Sequence, residues 1–207
     1  MKNKKILSEQ EKFWKGKFGD TYISRNRNKS IISSNKKLFL KINKYIKNSK
    51  SLIEFGSNIG LNLIALQKIN KKLNLTGIDI NKEATKILMK NNKINVINDS
   101  ILNINLSLRY DITFIKGVLI HINPKDLNKV YEKLYTYSKK YIYIAEYYNP
   151  TPLKISYRGH KNKLFKRDFA GEILDKYKNL KLVDYGFAYH RDIYPQDDLT
   201  WFLLKKS

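Results

Sequence analysis

The chain has 207 residues, 42% hydrophobic and 29% charged, with no cysteine; a chain of that length buries roughly 70% of its unfolded surface around one core, so disorder, disulfides and thiolate metal sites are excluded. Its 41 basic against 18 acidic residues leave a net charge of +23, yet only six of the basic residues are Arg. Scattered Lys is first a solvated surface, since phosphate and base recognition favours the forked guanidinium, so nucleic acid is the weaker candidate partner.

The first element in chain order is Ser8 to Phe18, opened by a capping-box pair, Ser8 and Glu11, and carrying aromatics at helical spacing. Gly19 is expected to end it, and Asp20 to Lys29 reads as a polar loop. Ser33 or Ser34 then caps a helix with an apolar stripe at Leu38, Phe39, Ile42, Tyr45 and Ile46. From Ser51 strands and helices alternate. Strands are predicted at 51–55, 75–80, 95–98, 112–116 and 141–146, with helices at 58–69, 82–91 and 125–138. Alternation at this spacing needs crossover connections, and right-handed crossovers give an α/β, doubly wound, Rossmann-like parallel sheet. Residues 147–166 carry turn signals and no clear period, and read as a loop over the site. A helix at 167–177 and strands at 181–189 and 199–204 follow, the last two forming an antiparallel hairpin at the sheet's end. The chain thus divides into N-terminal helices and a lid (1–50) and a core (51–207) with an acceptor-side excursion at 147–166.

Chemistry concentrates at the first strand's exit, Glu54-Phe55-Gly56-Ser57-Asn58-Ile59-Gly60. Gly56 and Gly60 let backbone approach a ligand, and a helix starting near Asn58 would point free amides at it. The turn lacks the third glycine and the spacing of a dinucleotide site, and Glu54 would repel phosphate but suits an ammonium group. Asp79, ending the second strand, lies near the offset expected of a ribose-binding acid. Asp99, with Ser100, is placed to meet an adenine edge, with Ile80 and Ile101 as apolar surfaces for its ring. The plainer alternative makes the glycines a tight turn and the acids helix caps.

These residues resemble class I S-adenosylmethionine-dependent methyltransferases, whose first motif is an acid-x-Gly-x-x-x-Gly turn of this kind. The resemblance covers about 51–206 and implies S-adenosylmethionine as cofactor: Glu54, Gly56, Ser57, Asn58 and Gly60 for the methionine moiety, Asp79 for ribose, Asp99 and Ser100 for adenine. Lys116, at the end of the fourth strand, is a further cofactor contact. The commonest form of the motif has Gly where this chain has Asn58. Two further stretches, from Phe13-Trp14-Lys15-Gly16 to Arg25-Asn26 and from Tyr157-Arg158-Gly159-His160 to Asp197-Asp198, are similar to the pseudaminic acid biosynthesis-associated methylases. That resemblance implies modification of a sugar or surface glycan.

Methyl transfer gains most from holding its partners in contact, and a base is useful for a hydroxyl acceptor. His121, just past the fourth strand, is the candidate base, with a surface or capping histidine as the alternative. Tyr148, Arg158 and His160 are candidate acceptor contacts, Arg158 as a fork on a sugar carboxylate or as a plain loop residue. Trp14 and Tyr22 belong either to a lid or to the core, and Arg25 or Asn26 would reach the cofactor's carboxylate. Pro195-Gln196-Asp197-Asp198 either closes over the pocket or forms a turn. The three His are far apart in sequence, so no metal is expected, and no apolar run approaches a membrane span; the expectation is a soluble cytoplasmic protein. Function is read as S-adenosylmethionine-dependent methylation of a small sugar-type acceptor. A nucleic-acid methyltransferase using the basic surface and a non-catalytic nucleotide-fold binding protein are the alternatives, and the sequence leaves the oligomeric state open.

Overall fold

The computed structural model describes residues 6–25, 28 and 30–207. The candidate ligand contact Asn26 lies outside the described residues. Three helices come first: α1 (Glu9–Lys15), α2 (Lys17–Arg25) and α3 (Ser30–Ile46). The alternating region then runs β1 (Ser51–Phe55), α4 (Leu61–Ile69), β2 (Asn74–Asp79), α5 (Lys82–Leu88), β3 (Ile94–Asn98) and β4 (Tyr110–Lys116). Two short 3-10 turns, Leu119–His121 and Pro124–Asp126, lead into α6 (Leu127–Tyr137) and β5 (Ser138–Glu146). Beyond it lie β6 (Leu153–Tyr157), β7 (His160–Lys166), α7 (Phe169–Lys176), β8 (Leu180–Ala188) and β9 (Leu199–Lys206).

Seven strands form one sheet in the order β3-β2-β1-β4-β5-β9-β8. The first five are parallel, and β9 runs antiparallel to both β5 and β8, as the closing-hairpin reading requires. β1 sits centrally, with Leu52 in register with Leu75 on one side and Ile112 on the other. Strands buried on both faces read as continuous apolar runs, and β4 shows why. Ile112 and Phe114 face one core cluster with Leu38, Phe39 and Ile42 of α3 and Leu63 of α4. Ile115, one step on, faces the opposite cluster with Leu134 of α6 and Ile173 of α7. Helices cover both faces, so ligands can reach the sheet only at its strand ends.

Three local expectations are corrected. The N-terminal helix does not run to Gly19: Gly16 caps α1, its N–H donating to the Lys12 carbonyl, and the chain turns into α2, making helical the first part of the stretch expected to be a loop. Gly19 instead permits close approach, since a Cβ there would stand 1.9 Å from the Trp14 carbonyl oxygen. α3 starts at Ser30, leaving Ser34 buried inside the helix. Finally, much of 147–166 is the antiparallel hairpin β6–β7. Its turn places Arg158 and Gly159 at φ 50° and 81°, the two left-handed positions of a primed hairpin turn. Asn-Gly is the usual signal for that turn, and Arg at the first position hides it.

Because Arg158 holds a left-handed conformation that Asn adopts at lower cost, Arg158→Asn is expected to stabilise the protein by about 0.5–1 kcal/mol. Urea denaturation of the two proteins checks this; a loss of stability would mean that the arginine head group, not the turn, matters at this position.

Candidate functional site

The strand order reverses between β1 and β4, and one cavity opens at the carboxyl ends of the strands beside that reversal. Its floor is the β1–α4 turn (Gly56, Ser57, Asn58), the exit of β2 (Asp79, Ile80), the exit of β3 (Ser100, Ile101) and the exit of β4 (Lys116, Val118). Helix α1 roofs it with Gln10, Glu11 and Trp14, and Tyr22 of α2 and Asn35 of α3 close the side.

The β1–α4 turn is tightly folded. Gly56 and Gly60 hold φ near +80°, where a Cβ would come within 2.5 Å of Val118 and 2.2 Å of Leu88 respectively; Asn58 is left-handed too. Helix α4 therefore starts only at Leu61, after the turn is complete. The expectation of free amides over the turn is overturned. Gly56 and Ser57 donate their N–H groups to the Ile78 carbonyl (2.8 Å each), Asn58 to Asp79 Oδ2 (2.7 Å) and Gly60 to the Ser57 carbonyl (2.8 Å). These four amides are satisfied within the protein, so they form no anion cradle.

What the turn leaves open are acceptors. Glu54 is fully buried under the turn; its Oε1 accepts from Asn62 Nδ2 at 2.6 Å, and its Oε2 has no partner among the described residues. Ser57 Oγ and Asn62 Oδ1 are likewise buried and unpartnered. Burial pushes the Glu54 carboxyl up to about 8, against the Asn62 hydrogen bond and the Lys116 charge. Asp79 is raised by burial as well, although the N–H groups of Asn81 and Asn58 both stabilise its charge. A buried acceptor without a donor costs about 1–3 kcal/mol. The cavity therefore favours a ligand that brings N–H and O–H groups, and above all a cation beside Glu54.

Lys116 stands at the end of β4 with burial lowering its pKa, while the charges of Asp197, Glu54 and Glu146 oppose that shift. Its ammonium makes no hydrogen bond or ion pair among the described residues. Glu146, ending β5, accepts from the N–H groups of Val118 and Leu119 (2.9 Å each) and holds the first 3-10 turn in place; burial pushes its carboxyl up to about 7. His121 closes that turn. Its Nδ1 lies 2.6 Å from the Lys163 carbonyl; since a carbonyl only accepts, the proton sits on Nδ1 and leaves Nε2 as an acceptor. Its ring lies 4.7 Å from those of both Trp14 and Tyr157, and burial depresses its pKa to about 4. His121 is a neutral ring at neutral pH.

The roof is fastened by polar contacts. The capping box at Ser8 forms as expected, and Glu11 also accepts from Ser100 Oγ and Asn103 Nδ2, tying α1 to the exit of β3. Gln10 Nε2 donates to the Asn162 carbonyl of β7 (3.2 Å). Asn81 Nδ2 donates to the Trp14 carbonyl (3.2 Å) and Asp20 Oδ1 (2.8 Å).

Tyr22, Gly56, Ser57, Asn58, Asp79, Ile80, Ser100, Lys116 and His121 all line the one cavity. Glu54 lies directly beneath it, and Gly60 backs the turn against Leu88. Asp99 is outside the lining, exposed, with Oδ1 accepting from the Ser100 N–H at 2.7 Å. Arg25 lies over the Phe18 ring, Tyr148 is exposed beside Phe202, Arg158 sits in the hairpin turn, and His160 stands against Phe13 and Phe18; none lines the cavity. Sequence reasoning missed Gln10, Asn35 and Asn62 as cavity residues. Only Gln10 carried a signal: a polar residue one helical turn from Trp14 on the inward face.

No family model and no curated protein matches the sequence. Solved structures do. The plantazolicin methyltransferase BpumL, in complex with a pentazolic desmethylPZN analog and SAH, aligns with a TM-score of 0.67 at 17% identity over 95% of this chain and 94% of that one. The Burkholderia thailandensis 1,6-didemethyltoxoflavin-N1-methyltransferase, with S-adenosylhomocysteine bound, gives 0.69 at 9% identity over 91% and 83%. Magnesium protoporphyrin IX methyltransferase from Synechocystis PCC 6803, also with SAH, gives 0.68 at 13% over 95% and 97%. At such identities the likeness is one of fold: the chain has the Rossmann-like methyltransferase fold. The narrower resemblance to the pseudaminic acid methylases has no counterpart among these matches.

Gly56→Ala is expected to destabilise the protein by about 2–4 kcal/mol, combining the left-handed backbone with overpacking against Val118. A denaturant midpoint unchanged from the parent would show that the turn relaxes freely and is not the rigid floor described above.

Proposed function

We propose that the protein is an S-adenosylmethionine-dependent methyltransferase acting on a small polar acceptor, a sugar or nonulosonic-acid hydroxyl. The observation that carries the reading is the set of unpartnered acceptors, Glu54 Oε2, Ser57 Oγ and Asn62 Oδ1, gathered at the β1–α4 turn beside Asp79. A ligand with an ammonium group and two ribose hydroxyls supplies the donors that this turn lacks, and the satisfied amides argue against a pyrophosphate. In this reading Glu54, Ser57 and Asn62 hold the ammonium, Asp79 the ribose, and Ile80 and Ile101 flank the base. Bound there, the cofactor would supply a methyl group on a sulfonium, open to displacement by an acceptor oxygen or nitrogen.

The chain's own residues do the rest. Trp14 and the α1 roof exclude water and hold the acceptor against the reacting carbon, the largest source of acceleration for such a reaction. His121, neutral throughout the physiological range, offers its Nε2 lone pair to an acceptor O–H or N–H. Lys116, unpaired in the cavity wall, suits a sugar bearing a carboxylate. The acidic-sugar acceptor rests on that lysine and on the sequence resemblance. Tyr148, Arg158 and His160, outside the lining, would serve only the approach to the cavity.

Calorimetric titration with S-adenosylhomocysteine tests the cofactor reading, and absence of binding at millimolar ligand rejects it. Because Glu54 holds its proton up to about pH 8 in the free protein, pairing with the ammonium must release that proton. Affinity is therefore expected to rise between pH 6 and 8 by up to about tenfold per pH unit and then level off, a dependence that Glu54→Gln should flatten. A flat profile in the parent protein would remove Glu54 from the site. For the acceptor, incubation with methyl-labelled cofactor and separate pools of activated sugars, protein and RNA is expected to place label in the sugars; label in RNA, falling steeply with salt, would point to nucleic acid instead.

A further inference from the structure

Of the four donor regions that the proposed cofactor presents, three find acceptors at the turn and at Asp79, and the 6-amino group of its base does not. Asp99, the acid expected there, is exposed, outside the cavity lining and engaged with the Ser100 N–H. Gln10 is the remaining orphan on the cavity wall. It is 4% exposed, and its Oε1 is buried without a partner among the described residues. The orientation of its carboxamide is fixed, because the other end faces the Asn162 carbonyl and only Nε2 can donate to it. No donor among the described residues reaches Oε1, and Gln10 lines the cavity, so a ligand that fills the cavity is what can supply one.

Gln10 also lies at the base end. Glu11, its neighbour on α1, is hydrogen bonded to Ser100 at the exit of β3. Lys163, the residue after the one that anchors Gln10, anchors His121 beyond β4. Asn162 is left-handed (φ 58°) in the irregular part of β7, and the two consecutive carbonyls, of Asn162 and Lys163, hold Gln10 and His121. Gln10 thus sits between the loop after β3, whose Ile101 is one of the two side chains assigned to flank the base, and the 3-10 turn after β4.

Resting on the methyltransferase reading, we infer that Gln10 Oε1 accepts from the 6-amino group of the cofactor's adenine, so that the N-terminal helix, not the acid after β3, reads the base. A site built to receive an N–H rejects an analogue that presents a carbonyl in its place, because two acceptors then face each other. The test is calorimetric titration of the full chain with S-adenosylhomocysteine and with S-inosylhomocysteine, in which a carbonyl replaces the amine. The parent protein is expected to prefer the adenosyl compound by roughly tenfold or more. Gln10→Met should bring the two affinities to within about threefold, and Gln10→Leu likewise, whereas Asp99→Ala, which removes the acid's acceptor oxygens, should retain the preference. The ratio is the readout, so a general loosening of α1 does not imitate the result, and Gln10→Leu against Asp99→Ala decides the matter even if Gln10→Met fails to fold. An unchanged ratio in Gln10→Met or Gln10→Leu, or a ratio abolished by Asp99→Ala, overturns the assignment while leaving the cofactor reading intact. If the parent binds neither compound, the cofactor reading itself fails, and this inference with it.

Discussion

One carboxylate connects the parts of this site. Asp79 accepts from the Asn58 N–H and from the Asn81 N–H, at 2.7 and 2.8 Å, and so joins the turn after β1 to the start of α5. Asn81 in turn holds the end of α1 and Asp20 of α2, so that floor and roof of the cavity meet through one residue and its neighbour. Burial works against this arrangement by raising the Asp79 pKa, and the two backbone hydrogen bonds offset it.

The same interactions decide what the cavity can hold. A glycine-containing turn before a helix is often an anion site, but here the amides of Gly56, Ser57, Asn58 and Gly60 already have partners. The buried groups left without partners at the turn are the oxygens of Glu54, Ser57 and Asn62, and the ionisable side chains around them are the acids Glu54, Asp79 and Glu146 with the base Lys116. In a chain of net charge +23 the strand ends thus gather more acids than bases, although burial raises the pKa of each of these acids. Bulk charge describes how lysine is spread over tolerant positions; the cavity takes its character from the few acids and the lysine that folding gathers at the strand ends.

The β6–β7 hairpin completes the cavity without lining it. It supplies the carbonyls of Asn162 and Lys163 that orient Gln10 and His121, and Lys163 pairs with Glu9 across the face of Phe13. The acceptors that these two side chains present, Gln10 Oε1 and His121 Nε2, therefore depend on a segment with little apolar pattern of its own. A second long-range contact, Gln196 Nε2 to Asn35 Oδ1 at 3.1 Å, fastens the β8–β9 connection to α3 on the other side.

The order of strands and helices from Ser51 onward was legible in the residues, because strands buried on both faces are apolar throughout and the helices between them keep one polar face. That Glu54, Gly56 and Asp79 gather at one edge of the sheet was legible for a similar reason: they lie at the carboxyl ends of two adjacent parallel strands. Other features depended on partners far away in the chain. Gln10 meets Asn162 across 152 residues and Glu11 meets Ser100 across 89, and no local pattern encodes either contact. The hairpin at Arg158-Gly159 was hidden because its left-handed turn uses Arg where Asn is the usual marker. Local periodicity determined the elements and the edge at which a ligand enters. The tertiary structure alone decided which amides are already taken, which oxygens are left bare and which helix covers them, since hydrogen-bond satisfaction belongs to groups brought together in space.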